Sequence, residues 1–557
     1  MKWSLVLLLV PIITAKKVVY DWNLQYKHIN PDGLRERRVI AINNQWPPPP
    51  VKLNINDTLV IHLVNNLNEP TTVHAHGINQ DNGTNHMDGA GMVTQCAIAG
   101  QHNFTYEFPV KQAGTFWLHS HYKVQYMDGL RVPLIVYDHT EPVEYDYDET
   151  ITVSDSYTNL EQYMNHENLD GVEPVPQSGL INDHTNTTIS FKPNKTYRLR
   201  LINMSGLAVF QVHIDHHDMQ VIEVDGVLTK PTAAKMVYLA SGQRISVLVR
   251  TKLTSKLNYY FHANMAPVMF DEIPDDLQLN IEAPIYYGDK QADFASRQDA
   301  IHGTYDDAYI FPLKESSALI PDRQINMTID FMENTDGLNH GVINDIPYLP
   351  PLVPTLHTLL TIEKQYLNNT LVYGPQSQTF INELDQVVEI VLNNLDDGPH
   401  PFHLHGHTFQ VIARGKGVYS PNTKITIPEN PTVRDTIGVP SNGYVIIRFK
   451  ANNPGVWFFH CHVDWHLPAG LAATFITAPE LAREKFLPLS KELYDLCVST
   501  NHPPTGNAAG KPGLDLDGAP DGIRPIKNPF VLGCLIATLV GLSTIIWHVW
   551  VDPDKIE

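Results

Sequence analysis

A chain of 557 residues with 43% hydrophobic content exceeds what a single core organises, so two or three globular domains are expected. Its formal net charge of -21, with no clustered run of Lys and Arg, excludes a nucleic-acid-binding surface, which needs concentrated positive charge. Plentiful Pro (41) and Gly (33) favour many short strands joined by turns over a helical bundle.

Residues 1–15 read as a secretory signal: Lys2 precedes an apolar run through Leu5, Leu8 and Ile13, and small Ala15 closes it before Lys16 and Lys17. Sequons at Asn56, Asn82, Asn103, Asn186, Asn194, Asn203, Asn326 and Asn368 fit a glycosylated, lumenal or extracellular body. A strand of β-branched alternation closing on Asn recurs at Thr58 (TLVIHLVNN), Thr196 (TYRLRLIN) and Val387 (VVEIVLNN). Downstream of the copies come HAHG at His74, FQVHIDHH at Phe210 and HPFHLHGH at His400. Further on, GTFWLHSH at Gly114 answers PGVWFFHCH at Pro454, while the middle copy offers YYFHAN at Tyr259. The chain is therefore expected to be all-β, with three related Greek-key β-sandwich domains at 16–144, 145–303 and 304–500. The Pro, Gly and Asp-rich stretch 501–528 reads as a flexible stalk.

The run FVLGCLIATLVGLSTIIWHVWV within 529–551 is long enough to span a bilayer, and polar Asp552, Asp554 and Lys555 follow it. A lipid-anchor signal would end in its hydrophobic tail, so a single transmembrane helix with a cytosolic tail at 552–557 is expected. Arg524 and Lys527 outnumber Lys555, against the positive-inside rule, but the signal and the sequons put the body outside. Of the four cysteines, Cys534 falls in this apolar run, and Cys96 and Cys497 flank the body and are candidates for a long-range disulfide in an oxidising compartment. Cys461 is left over, between two histidines.

Four segments carry the chemistry: His74 and His76; His119 and His121; His400, His403 and His405; and His460, Cys461, His462 and His466. On an extended strand alternate side chains share a face, so each His-x-His pair aims two imidazoles one way. Four pairs supply more imidazoles than one zinc needs, which points to a multinuclear metal cluster. By the same alternation Cys461 faces away from His460 and His462. Its thiolate with His400 and His466 makes the two-imidazole, one-thiolate set of a blue-copper electron-transfer site.

At these residues, and over nearly the whole body from Val18 to Cys497, the chain closely resembles the multicopper oxidases, the family of laccases, ascorbate oxidase and fungal ferroxidases. The resemblance implies cupredoxin-like domains, the third holding the type 1 copper and the second lacking a complete copper set. It implies one type 1 copper on His400, Cys461 and His466, with Leu471 at the axial position where no side chain coordinates. It also implies one type 2 copper on His74 and His403, and two type 3 coppers, one on His76, His119 and His462 and the other on His121, His405 and His460. Such an enzyme reduces dioxygen to water by four electrons. Asp88 and Asp464 match family acids that deliver protons, Asp464 standing where glutamate is expected, with a shorter reach.

Glu173 in GVEPVPQ, Asp271 in MFDEIP and Asp396 before His400 match the acids that fungal ferroxidases place beside the type 1 site, and carboxylates suit an iron cation. Glu173 and Asp396 would hydrogen-bond His466 and His400, although an Asp at 396 also suits a turn for conformational reasons. The expected activity is oxidation of Fe(II) at the outer face of the cell membrane, beside an iron permease, with the vacuolar membrane the alternative. An anchored laccase-like phenol oxidase, a cuprous oxidase and a copper-binding module without turnover are the competing readings.

Overall fold

The computed structural model describes residues 15–522 apart from 82, 159, 161–172, 255, 276 and 300–305. The expected transmembrane helix at 529–551, the tail at 552–557, Cys534, Asn82 and all of the signal but Ala15 lie outside the described residues. Among the described residues no helix is long and apolar enough to cross a membrane.

The strands fall into three successive groups, each of two sheets. In the first, one sheet runs Arg37–Ile42, Lys17–Ile29, Thr58–Asn65, His102–Pro109, and the other Val51–Asn54, Arg131–Tyr137, Gly114–Ser120, Val73–His76. Along His102–Pro109, Phe104, Tyr106 and Phe108 are buried while Asn103, Thr105 and Glu107 are exposed, the two-residue period of a sheet with one face on a core. Both sheets feed one apolar cluster, with Trp22, Leu59 and Ile61 from the first meeting Leu53, Phe116 and Leu134 from the second. The second and third groups repeat this plan with sheets of six and five strands, giving the all-β sandwich architecture expected.

The recurring strand occupies the same place each time. Thr58–Asn65, Thr196–Asn203 and Gln386–Asn394 each run parallel to their group's first strand and antiparallel to a later one. The repeated asparagine ends the strand for a physical reason. Its Oδ1 accepts from the backbone N–H two residues on, at Leu67 (3.0 Å), Ser205 (2.8 Å) and Asp396 (3.0 Å). Its amide donates to a distant loop, at Ile98, Leu239 and Pro440. One side chain thus turns the chain and ties down the loop opposite. Asn203 is therefore fully buried and its sequon is closed to glycosylation, unlike Asn56, Asn103, Asn186, Asn194, Asn326 and Asn368, which are exposed.

The expectation of a flexible stalk is corrected over residues 501–522, which lie against the body. Leu352 donates to the Ala508 carbonyl (2.9 Å), Ala508 to that of Val372 (2.7 Å), and Gly522 to the Gln376 side chain (2.9 Å). Composition misleads here because Asn507, fully buried, satisfies the turns itself, accepting from Ala509 and Lys511 and donating to Gly513 and Asp515. Just before this segment Cys497, on the helix Lys491–Ser499, is bonded to Cys96 across a sequence separation of 401. Closing so long a loop restricts the unfolded chain strongly. Replacing both cysteines by alanine is expected to lower stability by about 3–5 kcal/mol, read as a fall in thermal midpoint, with residues 491–499 losing amide-exchange protection first.

Candidate metal centre

The histidine pairs lie on the second sheets of the first and third groups, and their rings meet across the two groups, His76 with His462 and His121 with His460. His74 lies opposite His119 on neighbouring strands, and His403 opposite His460. All eight imidazoles of the four His-x-His pairs are buried. Their potential ligand atoms fall into sets within 4.8 Å of one another: His74, His76 and His403; His76, His119 and His462; His121, His405 and His460.

Most of the rings turn one nitrogen outward to a fixed acceptor. Nδ1 of His74 donates to the Asp88 carbonyl (2.7 Å), of His119 to that of Ser120 (2.9 Å), of His403 to that of Asp435 (3.0 Å), and of His460 to that of Cys461 (2.8 Å). Nδ1 of His405 donates to the Asp88 carboxylate at 2.8 Å. Such outward bonds fix the tautomer and leave the inward nitrogen bare. Nε2 of His74, His119 and His403 has no hydrogen-bond partner. Elsewhere bare nitrogens face each other, Nε2 of His460 at 3.1 Å from that of His405 and 3.3 Å from that of His121. Burial, with neighbouring imidazoles adding to it, holds His76, His119, His405, His460 and His462 well below the usual range and His121 at about 3. These rings are therefore neutral, and their converging lone pairs lack a proton between them. A buried arrangement of this kind fits bound cations, and imidazole donors suit copper.

Cys461 points the other way from its neighbours. Its Sγ lies 3.3 Å from Nδ1 of His466 and 3.7 Å from Nδ1 of His400, and the two Nδ1 atoms are 3.1 Å apart. Burial would raise the thiol, but His466 and His400 bring it down to about 7. His466 starts the short turn His466–Ala469, and Gly470, at φ +109, brings the chain back, where a side chain would strike the Gly341 carbonyl. Leu471 follows, fully buried, accepting from the Cys461 N–H (3.1 Å) and donating to the His466 carbonyl (3.0 Å).

The outer edges of the same two imidazoles meet acids. Nε2 of His400 donates to Asp396 at 3.0 Å, and Nε2 of His466 donates to Glu173. Burial opposes the charge on His466, yet Glu173 and Cys461 push it up to about 10. Glu173, Asp271 and Asp396 line one cleft of ≈ 260 Å³ with His400, His466 and Phe331. Burial raises Asp271 above the usual carboxylate range, and the charges of Glu173 and Asp396 add to it.

Asp88 and Asp464 occupy different surroundings. Asp88 is fully buried and grips His74 and His405 from outside. Asp464 is buried with its Oδ2 unpartnered, beside a cavity of ≈ 10 Å³ that it shares with His119, His121, His460 and His462, about the room one water needs. Burial, and then Asp155, push Asp464 well above the usual carboxylate range. Sequence reasoning overlooks Asp435, whose Oδ1 lies 3.4 Å from Nε2 of His76 and 3.6 Å from Nδ1 of His403. No local spacing signals that carboxylate.

The multicopper oxidase family pattern matches this chain at residues 23–141, 148–288 and 348–481. An iron transport multicopper oxidase, fetC of Epichloe festucae, is 39% identical over 97% of this chain and 90% of that protein. The crystal structure of Fet3p, described as a multicopper oxidase that functions in iron import, is 36% identical, covers 91% of this chain and 99% of that one, and superposes with a TM-score of 0.86. A laccase of Botrytis aclada is 27% identical, with a TM-score of 0.78 over 88% of this chain and 92% of that one.

Proposed function

Because this chain belongs to the multicopper oxidase family, we propose that it oxidises Fe(II) to Fe(III) in the cleft beside Cys461 and passes the electrons to dioxygen at the histidine cluster. One observation carries the choice of iron: each imidazole that faces the Cys461 sulfur is hydrogen-bonded at its far nitrogen to a carboxylate of the same cleft. A cation held by Glu173 and Asp396 is therefore one imidazole away from the sulfur on either side. A phenol would draw nothing from these charges. The resemblance to iron transport oxidases supports the same reading.

His400, Cys461 and His466 would hold the type 1 copper, and the buried Leu471 beside them offers no side-chain donor. His74 and His403 would hold the type 2 copper, and the sets His76, His119, His462 and His121, His405, His460 the type 3 pair. Bound copper supplies one-electron acceptance at the first site and, with the other three ions, storage of the four electrons that dioxygen requires. The protein supplies the rest. Glu173, Asp396 and Asp271 concentrate Fe(II) and favour the harder Fe(III), since carboxylate oxygen binds the more highly charged ion more strongly. Cys461 offers a covalent path through its main chain to His460 and His462, shortened by the bond from His460 Nδ1 to the Cys461 carbonyl. Asp464 and Asp88 would deliver protons, a reading supported by the small cavity that Asp464 shares with cluster imidazoles and by the bond from His405 to Asp88. We further propose cupredoxin-like domains at 16–144, 145–303 and 304–500, an anchor at 529–551 in the cell membrane, and an iron permease beside it.

Oxygen uptake by the purified chain with Fe(II) and with a bulky phenol tests the reading, and much faster uptake with Fe(II) is the expected result. A phenol turned over as well as iron overturns it. The pH dependence is a second check. As pH falls, Asp271 takes up a proton before an ordinary carboxylate, and the cleft loses one negative charge. KM for Fe(II) should then rise by about fivefold, the equivalent of roughly 1 kcal/mol, with KM for the phenol unchanged.

A further inference from the structure

The four donor sets described above draw no residue from the middle group of strands, yet one of its turns reaches the cluster. Residues 241–244 (Ser-Gly-Gln-Arg) lead into the strand Arg244–Arg250, and Ser241, Gln243 and Arg244 are buried. We propose that this turn is the positioning element for three cluster imidazoles, His462, His76 and His403, an inference that rests on the copper assignment above.

Ser241 acts on His462. The Ser241 hydroxyl donates to the Ser205 carbonyl, so its oxygen is left to accept from His462 Nδ1–H at 3.1 Å. That bond fixes the His462 tautomer and aims its bare Nε2 at Nδ1 of His76, 3.1 Å away. Gly242 sets the spacing of the same two rings. At φ +83, an added Cβ would stand 2.8 Å from Cδ2 of His462 and 3.0 Å from Cε1 of His76, so the main chain itself rests on the ring edges.

Arg244 acts through two further groups. Its guanidinium grips Asp435 with both arms, Nη1 to Oδ1 at 2.8 Å and Nη2 to Oδ2 at 2.7 Å, while Nε donates to the Thr115 carbonyl of the first group at 3.0 Å. Held there, Asp435 accepts the Thr436 hydroxyl proton at 2.8 Å. The Thr436 oxygen can then only accept, and it faces Nε2 of His76 at 3.2 Å and Nδ1 of His403 at 3.1 Å. Both rings therefore keep their protons outward and their other nitrogens bare. Gln243 secures the arrangement by donating to the Thr436 carbonyl at 3.1 Å. The turn thus ties together the first and third groups, which supply the donors, and sets which nitrogen each ring offers.

The test uses purified full-length protein, as wild type and as Ser241→Ala, Ser241→Thr and Arg244→Lys. Copper retained against graded chelator is measured together with the blue thiolate absorption and the paramagnetic resonance signal of the type 2 ion. Ser241→Ala is expected to release cluster copper about 10- to 100-fold more readily while the blue absorption persists, because its effect falls on His462 and not on Cys461. Ser241→Thr keeps the accepting oxygen and should match wild type. Arg244→Lys, which cannot fork onto Asp435, should weaken cluster copper and alter the type 2 signal. Cluster copper held by Ser241→Ala as tightly as by wild type overturns the inference alone, as does a loss of blue absorption in step with cluster copper. A wild-type chain that takes up no copper overturns the site assignment and this inference with it.

Discussion

Replacing Glu173 and Asp396 together by alanine is expected to lower kcat/KM for Fe(II) by about 10²- to 10⁴-fold, and to leave oxidation of a bulky phenol within a few-fold of wild type. The magnitude follows from the chemistry. A hydrogen bond or contact to a charged group contributes roughly 1.5–3 kcal/mol, and two such groups make about 3–6 kcal/mol, with each 1.4 kcal/mol a factor of ten. Both carboxylates touch the outer nitrogens of His466 and His400, whereas the inner nitrogens face Cys461. The double variant should therefore keep its copper and its blue colour. Steady-state rates with the two donors, side by side, decide the matter. Equal loss of both activities removes iron as the substrate and leaves only the oxidase reading.

The largest effect is expected at Cys461. Cys461→Ser should abolish the blue absorption and bring oxygen uptake with any donor below detection, because a hydroxyl is a poor ligand for a soft copper site and the path to the cluster starts at that sulfur. The neighbours' side chains face elsewhere: His460 meets His121 and His405, and His462 meets His76. Copper analysis should therefore show one ion lost and the others retained. Retained blue colour, or loss of every copper at once, would contradict the division of the two sites at this residue.

That division is legible in the sequence, because strand pleating by itself forces Cys461 away from His460 and His462. The threefold repeat is legible too, since Thr58–Asn65, Thr196–Asn203 and Gln386–Asn394 keep both their alternation and their closing asparagine. What cannot be read there are contacts set by packing between groups far apart in the chain. Asp435 and Arg244 are separated by 191 positions and lie in unremarkable contexts, so their mutual grip, and its bearing on His76 and His403, follows only from the way the second and third groups pack. Asn203 shows the opposite failure. Its sequon looks like an exposed acceptor, but the same residue is the buried tie that ends the repeat's strand. Residues 501–522 mislead for a related reason: Pro and Gly mark flexible linkers and tightly turned, docked chain alike.

The docked segment also bears on geography. Its last described residue, Gly522, accepts from Thr335, in the hairpin bend whose flanking residues Phe331 and Asn339 line the acidic cleft. Between Gly522 and the proposed span at 529–551 lie only residues 523–528, a leash of at most about 22 Å even when taut. With the proposed span seated in a bilayer, the body would stay within that reach of it. Newly made Fe(III) would leave the cleft close to the lipid surface, where a neighbouring transporter could capture it before it hydrolyses in bulk water.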